Sequence, residues 1–129
     1  VSSKPAFLTI EQVAILHRMA LERHGGQDGT RDESAFESAV MQPRNVWHYG
    51  QGDLFDVAAA YAFSLAESQA FLDGNKRTGM GAALVFLSGN GVIVPEATGE
   101  LYAAMIAIAE RRLDKAGLAD LLRRLVGPG

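Results

Sequence analysis

Between two strongly apolar stretches the chain carries one short run dense in polar and charged side chains, Gln69-Ala70-Phe71-Leu72-Asp73-Gly74-Asn75-Lys76-Arg77-Thr78. If a helix opens near Gly74, the unpaired N–H groups of its first turn converge on one point. With the helix dipole they favour an anion there. Gly74 lets a ligand approach the backbone closely. Lys76 and Arg77 add a point charge and a planar fork, the two cationic means of holding phosphate. Cations in a first turn oppose the helix dipole at ~0.3–1 kcal/mol each, a misfit that a bound anion relieves. Asp73 places a hard oxygen beside the same point, as Mg²⁺ bridging phosphates requires. The alternative reading is a structural helix cap carrying solvated surface charges. A Walker A loop is excluded: Gly74 and Gly79 have its spacing, but Met80 stands where lysine is needed and no strand precedes it.

These residues need a scaffold, and the pattern around them is helical. The alanine-rich apolar stretches repeat at helical spacing with no sustained alternation, which predicts an all-α fold. A first helix begins at Thr9, where Thr9 and Gln12 fit a capping box and Leu8 with Val13 a hydrophobic staple, and stops at Gly25–Gly26. A second runs from about Asp32 to Met41 and is ended by Pro43. Arg44 to Gly52 reads as a connector rich in aromatics and glycine. A third helix starts at an Asp53 cap and carries LFDVAAAYAFSLAESQ; a fourth opens near Gly74 and continues to Gly89–Gly91. Val92–Val94 reads as a short extended piece, Thr98 caps a fifth helix, and a sixth runs from Asp114 to about Val126. The expected architecture is one compact six-helix bundle over residues 1–129, with the polar run as the loop between the third and fourth helices.

Composition narrows the chemistry. A chain of 129 residues with 48% hydrophobic side chains makes one domain with a core of its own. The absence of cysteine excludes disulfides, cysteine-ligated zinc, iron–sulfur clusters and thiol nucleophiles. A net charge of −3 argues against general nucleic-acid binding, and Arg111-Arg112 and Arg123-Arg124 read as solvated helix faces. The longest apolar runs, Met80–Leu87 and Leu101–Ala109, are too short to span a bilayer. The first residues, VSSKPAF, lack the charged-then-apolar plan of a signal peptide. The expectation is a soluble, cytoplasmic protein without direct nucleic-acid or membrane contact.

The polar run also resembles the motif of the Fic/Doc family, His-x-Phe-x-(Asp/Glu)-(Gly/Ala)-Asn-(Gly/Lys)-Arg, and most closely its Doc (death-on-curing) toxin branch. Gln69-Ala-Phe71-Leu-Asp73-Gly74-Asn75-Lys76-Arg77 fills every specified position but the first. Asp53 to Tyr61, Ala82 to Leu87, Asn90-Gly91, Leu16-His17 and Leu122 to Leu125 are similar to Doc-type sequence as well, so the likeness spans essentially the whole chain.

The resemblance implies roles that agree with the physical reading. Asp73 would hold Mg²⁺ on the phosphates of ATP. Gly74 and Asn75 would form part of the anion loop, Lys76 and Arg77 would contact phosphates, and Phe71 would pack inward to shape the loop. Lysine at 76, where adenylylating Fic proteins carry glycine, and Met80, where they carry a second arginine, resemble the Doc branch. That branch transfers the terminal phosphate of ATP to a hydroxyl of elongation factor Tu and halts translation. AMP transfer is the alternative. The resemblance also implies a Phd-type antitoxin whose tail folds as a helix in a groove of the toxin.

The first motif position departs from the family. Members place a histidine there as general base, since imidazole titrates near working pH. Gln69 can hydrogen-bond a hydroxyl but cannot take its proton at neutral pH. Three accounts stand: a deliberate inactivating change, a degenerate homologue that binds nucleotide or antitoxin without catalysis, or a branch using another base. None of the three histidines is an obvious substitute: His17 and His24 sit in or just past the first helix, where packing or solvent exposure is expected, and His48 in the connector is a minor candidate.

Overall fold

The computed structural model describes residues 4–50, 52–95 and 98–127, Thr98 by its backbone alone. Its elements are α1 (Ile10–His24), α2 (Glu33–Met41), α3 (Pro43–His48), α4 (Leu54–Ser68), α5 (Asn75–Gly89), α6 (Thr98–Ala109) and α7 (Lys115–Val126). The six long helices are the expected ones, and no strand occurs among the described residues. Among the described residues Val92–Val94 forms no β-bridge, and the one bridge is an isolated antiparallel pair, Thr30 with Phe71.

The helix starts are local chemistry. The Thr9 hydroxyl accepts from the Gln12 N–H at 3.1 Å while the Gln12 side chain accepts from the Thr9 N–H at 2.8 Å, closing the expected capping box. Asp53 accepts from the N–H groups of Phe55 and Asp56, and Asp56 accepts in return from Asp53. Asp114 caps α7 by accepting from the Gly117 N–H at 2.8 Å. α6 starts at Thr98, but the expected cap there rests on a side chain outside the described residues.

The connector expected over Arg44 to Gly52 is shorter than its composition suggests. Pro43 follows α2 but also opens α3 at a first-turn position, where its missing N–H would have had no partner. The residue that stops one helix therefore starts the next.

α4 and α5 form the centre, with α1 against α5 and with α2, α3 and α7 against α4. Both helices bury small residues, Ala58, Ala59 and Ala62 on α4 and Gly79, Ala82 and Ala83 on α5. At Gly79 an added Cβ would sit 2.5 Å from the Ala62 carbonyl oxygen, so this glycine sets the closest approach of the two helices. Tyr61, Leu65, Phe86 and Leu87 fill the space above and below, and α7 adds Leu118, Leu121 and Leu122. The close-packed pair holds the end of α4 and the start of α5 together, and the Gln69–Gly74 loop joins them.

Candidate active site

α4 ends at Gln69, which adopts the left-handed conformation at φ 53° with its side chain exposed. The chain then folds inward. Ala70 and Phe71 are buried, and Phe71 lies between the His17 ring, stacked at 3.6 Å with an interplanar angle of 6°, and the Phe36 ring at 4.9 Å. The Asn75 side chain closes the turn. Its Oδ1 accepts from the Phe71 N–H and its Nδ2 donates to the Phe71 carbonyl, both at 3.0 Å. Asn75, expected among the phosphate-binding residues, commits Oδ1 and one Nδ2 hydrogen to the loop, and its second Nδ2 hydrogen and its backbone N–H are what it can offer an anion.

The segment between α1 and α2 straps the loop from behind. Arg31 and Asp32 donate their N–H groups to the Ala70 carbonyl at 2.6 and 3.2 Å, and Leu72 donates to the Gly29 carbonyl at 3.0 Å. The Gln27 N–H donates to Oδ2 of Asp73 at 2.7 Å, and Oδ1 has no hydrogen-bond partner among the described residues. His17, only 5% exposed, lies 2.8 Å by Nε2 from the Asp73 carbonyl. A carbonyl only accepts, so the proton sits on that nitrogen. The sequence signals for this strap were Gly25, Gly26 and Gly29, all at positive φ, but nothing in them named the partner.

Gly74 precedes α5 at φ 83°, and no side chain caps the helix. The first turn carries no acidic residue, while Lys76 and Arg77 are exposed. The unpaired N–H groups and both cations therefore open on one cleft of about 490 Å³. Gln69, Asp73, Gly74, Asn75, Lys76 and Arg77 all line it, and α6 supplies the facing wall through Tyr102, Met105, Ile106 and Ala109, with Glu110 just past its end. That wall comes from distant sequence and carries no motif. A second lobe of about 580 Å³ shares Gln69 and Lys76 and continues to Glu67, Arg111 and Asp114.

The minor histidine candidate for the base is elsewhere. His48 packs on Phe7 at 5.8 Å, and Phe7 stacks on Phe86. Phe86 lies eleven residues along α5 from Asn75, roughly 16 Å at helical rise, so His48 belongs to the opposite end.

No group of three or more His, Asp or Glu side chains able to hold a metal occurs among the described residues. A divalent cation here would take one carboxylate from the chain and its remaining oxygens from a ligand. That donor set suits Mg²⁺ on a phosphate, because this ion keeps waters and binds through one or two carboxylates plus substrate oxygens.

The Fic/DOC family profile matches residues 7–87. The chain is 35% identical over 118 residues to the protein kinase Doc of Escherichia phage P1, covering 91% of this chain and 93% of that one. It is 44% identical over 71 residues to the toxin Doc of Mycolicibacterium smegmatis, covering 53% of this chain and 54% of that one. The chain belongs to the Fic/DOC family.

Proposed function

We propose that this Fic/DOC chain is a Doc-type toxin whose cleft is built to transfer the terminal phosphate of ATP to a hydroxyl of elongation factor Tu. With Gln69 at the position of the base, that transfer is nearly silent. The observation that carries the reading is the convergence of Gln69, Asp73, Gly74, Lys76 and Arg77 on one cleft at an uncapped helix start.

The chain's own groups divide the work. The first-turn N–H groups of α5 and the Arg77 fork hold phosphate oxygens in place, and Lys76 adds charge beside them. Asp73, steadied by Gln27, offers its other oxygen to Mg²⁺. That ion supplies charge neutralisation on the phosphates when bound. Positioning and electrostatics provide most of a phosphoryl-transfer rate, and these groups are all present. Gln69 orients a hydroxyl toward them but removes no proton, a loss of about 10²–10⁴-fold. Lys76 and Met80 favour phosphoryl over AMP transfer.

Gln69 itself favours a second reading, a non-catalytic homologue that binds nucleotide or antitoxin. A Phd-type antitoxin has a suitable seat under either reading. A groove of about 620 Å³ between α1, α5 and α6 is lined by Leu16, Met19, Met80, Leu84 and Met105, and Arg23 and Arg77 stand beside it. An amphipathic helix with an acidic flank would complement it.

The test is Gln69→His. ATP labelled on its terminal phosphate should mark elongation factor Tu with the variant and barely with the unaltered chain. Label from the α-phosphate instead would establish AMP transfer. No transfer by a folded, ATP-binding variant would leave the non-catalytic homologue.

A further inference from the structure

Among the described residues, six helices end through a residue at positive φ. Four use glycine: Gly25 after α1, Gly50 after α3, Gly91 after α5 and Gly127 after α7. The two that carry a full side chain are Gln69 after α4 and Arg111 after α6, at φ 53° and 61°. α5 and α6 end in the same turn. The N–H of Val92 reaches the Leu87 carbonyl at 2.9 Å and that of Gly91 reaches Ser88 at 3.1 Å. Likewise, Arg112 reaches Ala107 at 2.8 Å and Arg111 reaches Ile108 at 3.1 Å. This turn selects glycine at its left-handed position, because a Cβ there crowds the following carbonyl. Arginine at 111 is the costlier choice. Both exceptions line the same lobe of the cleft. Departures from local preference gather where a side chain is needed for function.

The charge of Arg111 is uncommitted. Among the described residues it forms no ion pair, whereas Arg112, Arg123 and Arg124 each do. Lys76, which lines both lobes, also pairs with no carboxylate among the described residues. Two acids share the lobe. Asp114 gives one oxygen to the α7 cap, and Glu67 pairs with neither cation. The lobe thus presents two free cations in series, with Lys76 joining it to the start of α5.

We propose that Arg111 is a phosphate-binding residue. A ligand anchored by one phosphate at the start of α5 runs past Lys76 and places a further phosphate on the Arg111 fork. The cleft thereby selects polyphosphate chains over monophosphates. This rests on the nucleotide reading above and adds a residue outside the motif and a selectivity for chain length.

The test is titration calorimetry with Mg²⁺-ATP, Mg²⁺-tripolyphosphate and AMP, with thermal melts of each protein. Arg111→Gly should weaken ATP and tripolyphosphate by roughly tenfold or more and leave AMP unchanged. The same variant should melt about 2–5 °C higher, because glycine suits the turn. Arg111→Lys keeps both charge and strain, and should fall between in affinity with no gain in melting temperature. Unchanged ATP affinity in Arg111→Gly, or equal losses for ATP and AMP, overturns the proposal. Weakening by Arg77→Ala without weakening by Arg111→Gly overturns it while keeping the nucleotide reading. No ATP binding by the unaltered chain overturns both.

Discussion

Phe71 and Asn75 both sit in the motif, and both side chains go into building the loop. Phe71 fills the space between His17 and Phe36, and Asn75 ties its amide back to Phe71. They shape the loop so that Asp73 and the start of α5 face the cleft. His17 completes this support with a ring stacked on Phe71 and a hydrogen bond to the Asp73 carbonyl. Its two contributions separate by substitution. His17→Phe keeps the stacked ring but leaves the carbonyl without its donor, and should cost about 1–2 kcal/mol in denaturant unfolding. His17→Ala also opens a cavity and should cost more, roughly 2–4 kcal/mol. Hydrogen exchange at Leu72 and Gln27 should quicken in both variants, since those amides bind within the strapped loop. Full stability and protection in His17→Phe would show that the bond does not hold the loop.

At the scale of elements, the site depends on how closely α4 and α5 approach, since one ends and the other begins at the cleft. Gly79 permits that approach, and Gly81 two residues on faces open space. Gly79→Ala should therefore force the helices apart at a cost of about 1–3 kcal/mol. Gly81→Ala should gain ~0.5–1 kcal/mol from helix propensity alone. Equal melting temperatures for the two would refute the close-contact argument. The elements themselves were legible because their signals are local: Thr9 with Gln12, Asp53 and Asp114 each sit within four residues of what they cap. α3 escaped because Pro43 reads equally well as a stop and as a start. The motif residues of the site were legible for the same reason, since they lie within nine positions of one another. The strap from Gln27 to Asp32, the α6 wall and Arg111 were not. They meet the loop through long-range contacts, and Arg111 broke the glycine preference by which a helix end is normally recognised.

Across the whole molecule, the two ends of α4 are held by different chemistry. The Gln69 end belongs to the cleft. The Asp53 end, roughly 20 Å away at helical rise, is clasped by α7. Arg123 donates to Asp53 at 2.9 Å and to Asp56 at 2.8 Å, and its guanidinium lies 5.7 Å from the Phe55 ring centre. Partial burial pushes the Asp53 carboxyl up, but hydrogen bonds from Arg123 and the Asp56 N–H outweigh it and hold the group below its ordinary value. The hydrogen bond that Arg123 donates to Asp53, opposed by some burial and aided by Asp56, raises Arg123 above its ordinary value. A carboxyl depressed by folding contributes stability that is present above its unfolded pKa near 4 and lost as pH falls through the folded value. Arg123→Met keeps the stem over Phe55 but removes the charge, and should lower stability by about 0.5–1.5 kcal/mol, a figure limited by the exposure of the pair. The deficit should be flat between about pH 5 and 8 and shrink below about pH 4, where the unaltered chain loses the same contribution. It should also shrink in 1 M salt. Nucleotide affinity at the cleft should not change, because the clasp and the site share a helix but no side chain. A deficit that persists undiminished to pH 2 would assign it to packing of the Arg123 stem rather than to the ion pair. A matching loss of nucleotide affinity would mean that the two ends of α4 are coupled.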